Sequence, residues 1–174
     1  MYYMESLIWQ IATPVCGGTG FGIRYLWERY SDNRRKSLQL AIEETKFRLS
    51  DFYVPIYFLL KREKHIWNHF TCGKKCDDKE FDKYDKKNLE ILIKIQGIIK
   101  RNLVQARPCE EMSRLIVRFD EHVTVYRVMR EMNPSDRRFP RSLGVPYPRE
   151  FQERINAKVE KLGMKLNGLM EQLE

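Results

Sequence analysis

Apolar residues recur along this chain with helical spacing, and no stretch shows the strict apolar–polar alternation of a half-buried strand. Leu38, Ala41, Ile42, Thr45 and Leu49 share one helical face. The stretch "DFYVPIYFLL" is denser, but ten residues are too few to span a bilayer as a helix, so it predicts the middle of a core. Pro55 inside it lacks a donor and crowds the preceding turn, which predicts a break or kink and a second helix from about Pro55 to Phe70. The polar run "TCGKKCDDKEFDKYDKKN" follows, with Gly73 placed to stop that helix. Leu89, Leu92, Gln96, Ile99 and Leu103 restore the helical register, and Ile91, Ile95 and Ile98 widen its apolar face, as a central helix requires. Pro108, followed by Glu110 and Glu111, suits a first helical turn. Met112, Leu115, Phe119, His122, Tyr126 and Met129 then form one face. Four prolines and a glycine make "NPSDRRFPRSLGVPYPRE" a loop, which carries Arg137, Arg138 and Arg141.

The last helix holds Ile155, Val159, Leu162, Leu166, Leu169 and Leu173 at steps of 4, 3, 4, 3 and 4, a heptad seam. Packing onto its own bundle accounts for such a seam. Self-association or a partner helix is the alternative, with Ile155, Leu162, Leu166 and Leu169 as the contact. The expected fold is all-α: a bundle of four or five helices over residues 31–174, behind an N-terminal hydrophobic segment over residues 1–30.

That N-terminal segment is uncharged from Ser6 to Ile23. Its length as a helix, about 27 Å, comes just short of the ~30 Å hydrocarbon core. Tyr2 and Tyr3 precede it, and Tyr25, Trp27 and Tyr30 follow it, as in interfacial aromatic belts. Gly18 and Gly22 have the spacing that lets helices pack closely in lipid. Gln10, Thr13, Pro14 and the glycines weaken it. "GGTGFG" lacks the Lys-Ser/Thr of a phosphate-binding loop and follows no strand. A single span over residues 6–27 is the expectation, and a buried core helix its rival. Arg29, Arg34, Arg35 and Lys36 on the C-terminal flank then place the bulk of the chain on the cytosolic side and offer contacts to anionic lipid.

Composition adds an electrostatic bias. Thirty-two basic against 24 acidic residues give a net charge of +8, which favours an anionic partner such as a membrane surface, a nucleic acid or an acidic protein. The charged share, 32%, suits long solvated helices, and recurrent aliphatics and aromatics exclude a disordered chain. The four cysteines are too sparse for a disulfide scaffold.

One cluster raises metal chemistry. "HIWNHFTCGKKC" brings His65, His69, Cys72 and Cys76 within twelve residues, and the ligand types and number match structural zinc. The spacing fits less well. Only two residues separate His69 from Cys72, and a continuous helix would spread the four along a stripe too long for a tetrahedron. The plain reading is a helix end with free thiols, with a Cys72–Cys76 disulfide as a third reading. No catalytic set emerges, and no small-molecule substrate is evident. His122 sits on an apolar face as a core histidine would, Cys109 has no local base, and adjacent acidic pairs diverge on a helix.

Three stretches, "DFYVPIYFLLKREKHIW", "HVTVYRVMRE" and "VPYPREFQERI", resemble segments of uncharacterised helical proteins encoded by large DNA viruses of algae and protists. The likeness covers about residues 20–170, and those proteins often begin with a short hydrophobic segment and a basic flank. It implies a viral membrane or virion-associated protein and carries no site residues. The expectation is a non-enzymatic, membrane-attached interaction protein; the alternatives are a soluble basic nucleic-acid-binding protein and a small zinc-stabilised module.

Overall fold

The computed structural model describes residues 2–71, 77–134 and 138–173, with side-chain surroundings from Tyr25 onward except at residues 70, 71 and 78. Every regular element in it is helical: α1 (Tyr2–Phe47), a π-helical stretch (Arg48–Tyr53), α2 (Val54–Thr71), α3 (Asp78–Ala106), α4 (Glu110–Met132), a 3-10 turn (Pro140–Leu143) and α5 (Arg149–Glu171). The first three run on without a break, so the described residues form four helical rods. The all-α bundle expected from periodicity is the fold. Two units divide the chain: Glu44–Gly168, and Met1–Glu43 with Leu169–Glu174. Residue 30, where the N-terminal segment was expected to end, lies within α1.

Pro55 does not end its helix. The chain widens into the π-helical stretch just before it, and the Val54 N–H bonds to the Leu49 carbonyl five residues back. An α-helix would have asked Pro55 to donate to the Asp51 carbonyl, and proline has no N–H to give. Asn102 of α3 donates to that carbonyl instead, at 2.6 Å. A side chain from another helix thus satisfies the acceptor that the proline would leave open.

Of the polar run that follows α2, which the sequence left ambiguous, residues 78–88 are helical and open α3. Asp77 caps α3 by accepting from the Glu80 N–H at 2.7 Å, with Glu80 at the third helical position, the pattern of a capping box. Local capping and exposed charge sustain two turns that bury little. At the other end Arg107 adopts a left-handed φ of 44°, and its N–H returns to the Leu103 carbonyl. Pro108 follows directly and disfavours a further helical turn at Arg107. Pro108 therefore lies outside α4, whose N-cap is Cys109, rather than in its first turn as expected.

The core gathers one face from each of α2, α3, α4 and α5. Phe52, Tyr53, Ile56, Leu60, Ile95, Phe119, Val123, Phe151 and Ile155 are all wholly inaccessible. Phe119 and Phe151 stack at 4.7 Å between centroids, joining α4 to α5.

No helix among the described residues is long and apolar enough to cross a membrane. The span expected over residues 6–27 therefore gains no support; Gln10, Thr13, Pro14 and four glycines dilute its apolar character.

Candidate functional site

The most elaborate polar arrangement lies inside the bundle. Asp85 and Asn88 fall on α3 in register with Leu92, Ile95 and Ile99, so the helix carries them into the interior, and each is 7% exposed. Arg130 of α4 meets Asp85 with two bonds, Nε to Oδ2 at 2.6 Å and Nη2 to Oδ1 at 3.1 Å. The Tyr126 phenol donates to the same carboxylate. Arg130 Nη1 donates to the Arg138 carbonyl at 3.0 Å, and its guanidinium lies over the rings of Tyr126 and Phe139. One arginine thus ties α3, α4 and the loop before α5 together.

Burial, and then the hydrogen bond to Asp85, push the Tyr126 phenol far up. Burial works against the Arg130 charge, but the hydrogen bond and charge of Asp85 outweigh it and raise its pKa. A phenol held protonated and a guanidinium held charged have no proton to exchange near neutral pH. This arrangement joins α3, α4 and the loop before α5 through one buried carboxylate. The adjoining cavity, lined in part by Trp67, Asn88, Tyr126 and Phe139, has a volume of about 10 Å³, room for about one water.

Two further polar ties cross the interior. Gln96 Nε2 donates to Asp120 Oδ1 at 2.7 Å and to Thr124 Oγ1 at 3.3 Å. His122 is buried, and its Nδ1 lies 3.0 Å from the Val145 carbonyl. Burial lowers its pKa, which the Val145 carbonyl opposes. The Tyr147 ring packs edge-on against His122 and Phe119. Glu63, half-buried on α2, is raised to about 7 by burial, against the pull of Lys64.

The residues singled out in the sequence fall in separate places. Arg29, Arg34, Arg35 and Lys36 are exposed on α1, beside Tyr25, Leu26, Trp27 and Tyr30, which are 62–70% exposed. Gly18 and Gly22 belong to the part of α1 whose side-chain surroundings lie outside the described residues. His65 and His69 are exposed on α2, and the His69 ring meets Tyr84 of α3 at 5.8 Å. Cys72 and Cys76 lie outside the described residues, so the zinc arrangement falls partly beyond them. Among the described residues no group of three or more His, Cys, Asp or Glu could hold a metal ion.

The heptad seam divides. Ile155 and Leu162 are taken into the chain's own core, while Leu166 and Leu169 are half-buried. Of the four residues expected to form a partner seam, the first two are buried because α5 needs them to pack on the bundle. Cys109 is an exposed free thiol.

The Asp85–Arg130 pair joins positions 45 residues apart and escaped the sequence reading. A signal was present: the stripe through Leu92, Ile95 and Ile99 continues back through Asn88 and Asp85, placing a carboxylate on a buried face. Nothing local identifies its partner among the arginines. No protein-family model matches the chain, and comparison with the curated proteins and with the solved structures finds no match. The viral resemblance finds no counterpart there.

Proposed function

We propose that this is a non-enzymatic helical interaction protein held at an anionic membrane surface by α1. The observation that carries the reading is the fate of the aromatic residues on α1. Trp27, at 70% exposed, and Tyr30, at 63%, stand in contact with one another and open to solvent, whereas Phe52, Tyr53, Phe119 and Phe151 of the bundle are buried. Amphipathic rings beside cations suit the headgroup region, where one end of each ring is apolar and the other wet. Arg29, Arg34, Arg35 and Lys36 form no ion pair among the described residues, so their charge is open to phospholipid.

In this reading the bundle faces the cytosol and presents Leu166, the half-buried end of its part of the seam, to a protein partner or a second copy. In the viral setting that the resemblance implies, it would link a membrane to an assembly partner.

Flotation of the full-length chain with vesicles of neutral and of anionic lipid tests the attachment. Anionic vesicles should carry the chain, and Arg34→Glu with Arg35→Glu and Lys36→Glu should release it. Equal flotation of wild type and variant would sink the lipid-contact reading. Resistance to alkaline carbonate would point to a span over residues 6–27 rather than surface attachment.

A further inference from the structure

The donors and acceptors around Asp85 do not balance among themselves. Asp85 and Asn88 lie three residues apart on α3, and Tyr126 and Arg130 four apart on α4, so each pair shares one helical face. The two faces meet inside the bundle. Arg130 Nε donates to Asp85 Oδ2 at 2.6 Å, while Arg130 Nη2 and the Tyr126 hydroxyl both donate to Oδ1. The Asn88 side chain bonds the same phenol. With the phenol proton directed at Asp85, that bond requires the amide nitrogen of Asn88 as donor. The Asn88 amide oxygen is then turned away from Tyr126, and among the described residues no donor meets it. Asn88 is only 7% exposed, so bulk solvent does not reach that oxygen either. Folded proteins rarely leave a buried acceptor unpaired.

The neighbouring cavity has the size and the polarity to supply a donor. Ile66 and Trp67 of α2, Asp85 and Asn88 of α3, and Tyr126 of α4 line a space of about 10 Å³. A space of that size takes one water; it stays dry when its walls are apolar and is filled when two to four polar groups face it. Asp85 has capacity for a further bond. A carboxylate offers about four lone-pair sites, two on each oxygen. Tyr126 and Arg130 Nη2 occupy both on Oδ1, and Arg130 Nε takes one on Oδ2, which leaves one on Oδ2.

We propose that this cavity is a binding site for a single structural water molecule, which donates one hydrogen bond to Asn88 Oδ1 and one to Asp85 Oδ2. A metal cation suits the place poorly, because Arg130 matches the Asp85 charge and two oxygens are too few for a hard cation. The water fixes the orientation of the Asn88 amide, and the amide in turn holds the phenol that faces Asp85. It thus makes Asn88 a positioning residue for the tie between α3 and α4. The site lies inside the bundle and does not rest on membrane attachment.

A high-resolution crystal structure of the full-length chain tests the site directly. One solvent peak should lie about 2.7–3.2 Å from both Asn88 Oδ1 and Asp85 Oδ2. In solution, water relaxation dispersion counts the water molecules that the protein holds for longer than its own tumbling. Asn88→Leu keeps the size of the side chain and removes the acceptor, so the count should fall by one. Ile66→Val changes the wall without touching a polar atom and should leave the count unchanged. The wild-type crystal structure decides the question by itself if Asn88→Leu does not fold. A cavity without a solvent peak overturns the inference, as does a peak that touches only one of the two oxygens. An unchanged count in Asn88→Leu overturns it too, since the water would then be held by other groups.

Discussion

Two regions of this molecule use the same residue types to opposite ends. In the bundle, Phe52, Tyr53, Phe119 and Phe151 have no exposed surface, and the arginines of α4 largely face carboxylates. On α1, Tyr25, Trp27 and Tyr30 are more than half exposed and their neighbouring cations form no ion pairs among the described residues. Helix formation is common to both, so helicity alone does not fix what a side chain does. In the bundle each apolar face meets another, and burial supplies the stability. On α1 from Tyr25 to Ser37 every residue is exposed, so the rings contribute little to folding and remain available to a partner.

The contrast can be broken most forcefully in the core. Phe119→Ala should cost about 3–5 kcal/mol in urea unfolding, because it empties the stack with Phe151. Asp85→Ala should cost a similar ~3–5 kcal/mol, since it strands the Arg130 charge in a nearly buried setting; the Arg130 side chain is only 10% exposed. Adding Arg130→Met to Asp85→Ala should recover much of that loss. A double variant as unstable as the sum of the two single ones would show that the pair acts as separate contacts.

Glu63 gives a smaller, pH-dependent effect. Its pKa is raised in the folded protein from 4.5 to about 7, so the folded state holds the proton more tightly than the unfolded chain. The stability this confers is present at low pH and is lost as pH rises from about 4.5 to about 7. Glu63→Gln should remove a slope on the order of 2 kcal/mol across that window, measured as unfolding free energy against pH. His122 works in the opposite sense: its pKa is lowered in the fold, so its contribution is present above the ordinary histidine range and lost as pH falls. His122→Asn should therefore leave the Glu63 slope more pronounced.

Asn102→Ala should cost about 1 kcal/mol, the worth of the bond to the Asp51 carbonyl beside Pro55. At the bottom of the scale, Trp27→Ala should alter stability by less than about 0.5 kcal/mol, as exposed substitutions do. Its effect should appear in vesicle flotation instead. A large loss of stability there would place Trp27 in a packed interface and erase the contrast between the regions.

Much of the fold was legible in order. The 3.6-residue stripes through Leu89–Leu103 and Met112–Met129 place core residues correctly, because burial of one helical face leaves a periodic record. The sites were less legible. The zinc cluster drew notice through local spacing, yet Cys72 and Cys76 fall outside the described residues. The Asp85–Arg130 tie drew none, because its partners meet only through packing.

By itself the sequence determined the helical class, the faces that α3, α4 and α5 turn inward, and the surplus of positive charge, since each depends on neighbours within a few residues or on composition alone. Tertiary structure decided what separation in sequence conceals. It sends Asn102 to the carbonyl that Pro55 leaves open, pairs Asp85 with Arg130, and stacks Phe119 of α4 on Phe151 of α5. Each of these joins residues dozens of positions apart, and the periodicity of a single helix fixes which face is buried but not which residue of another helix lies against it.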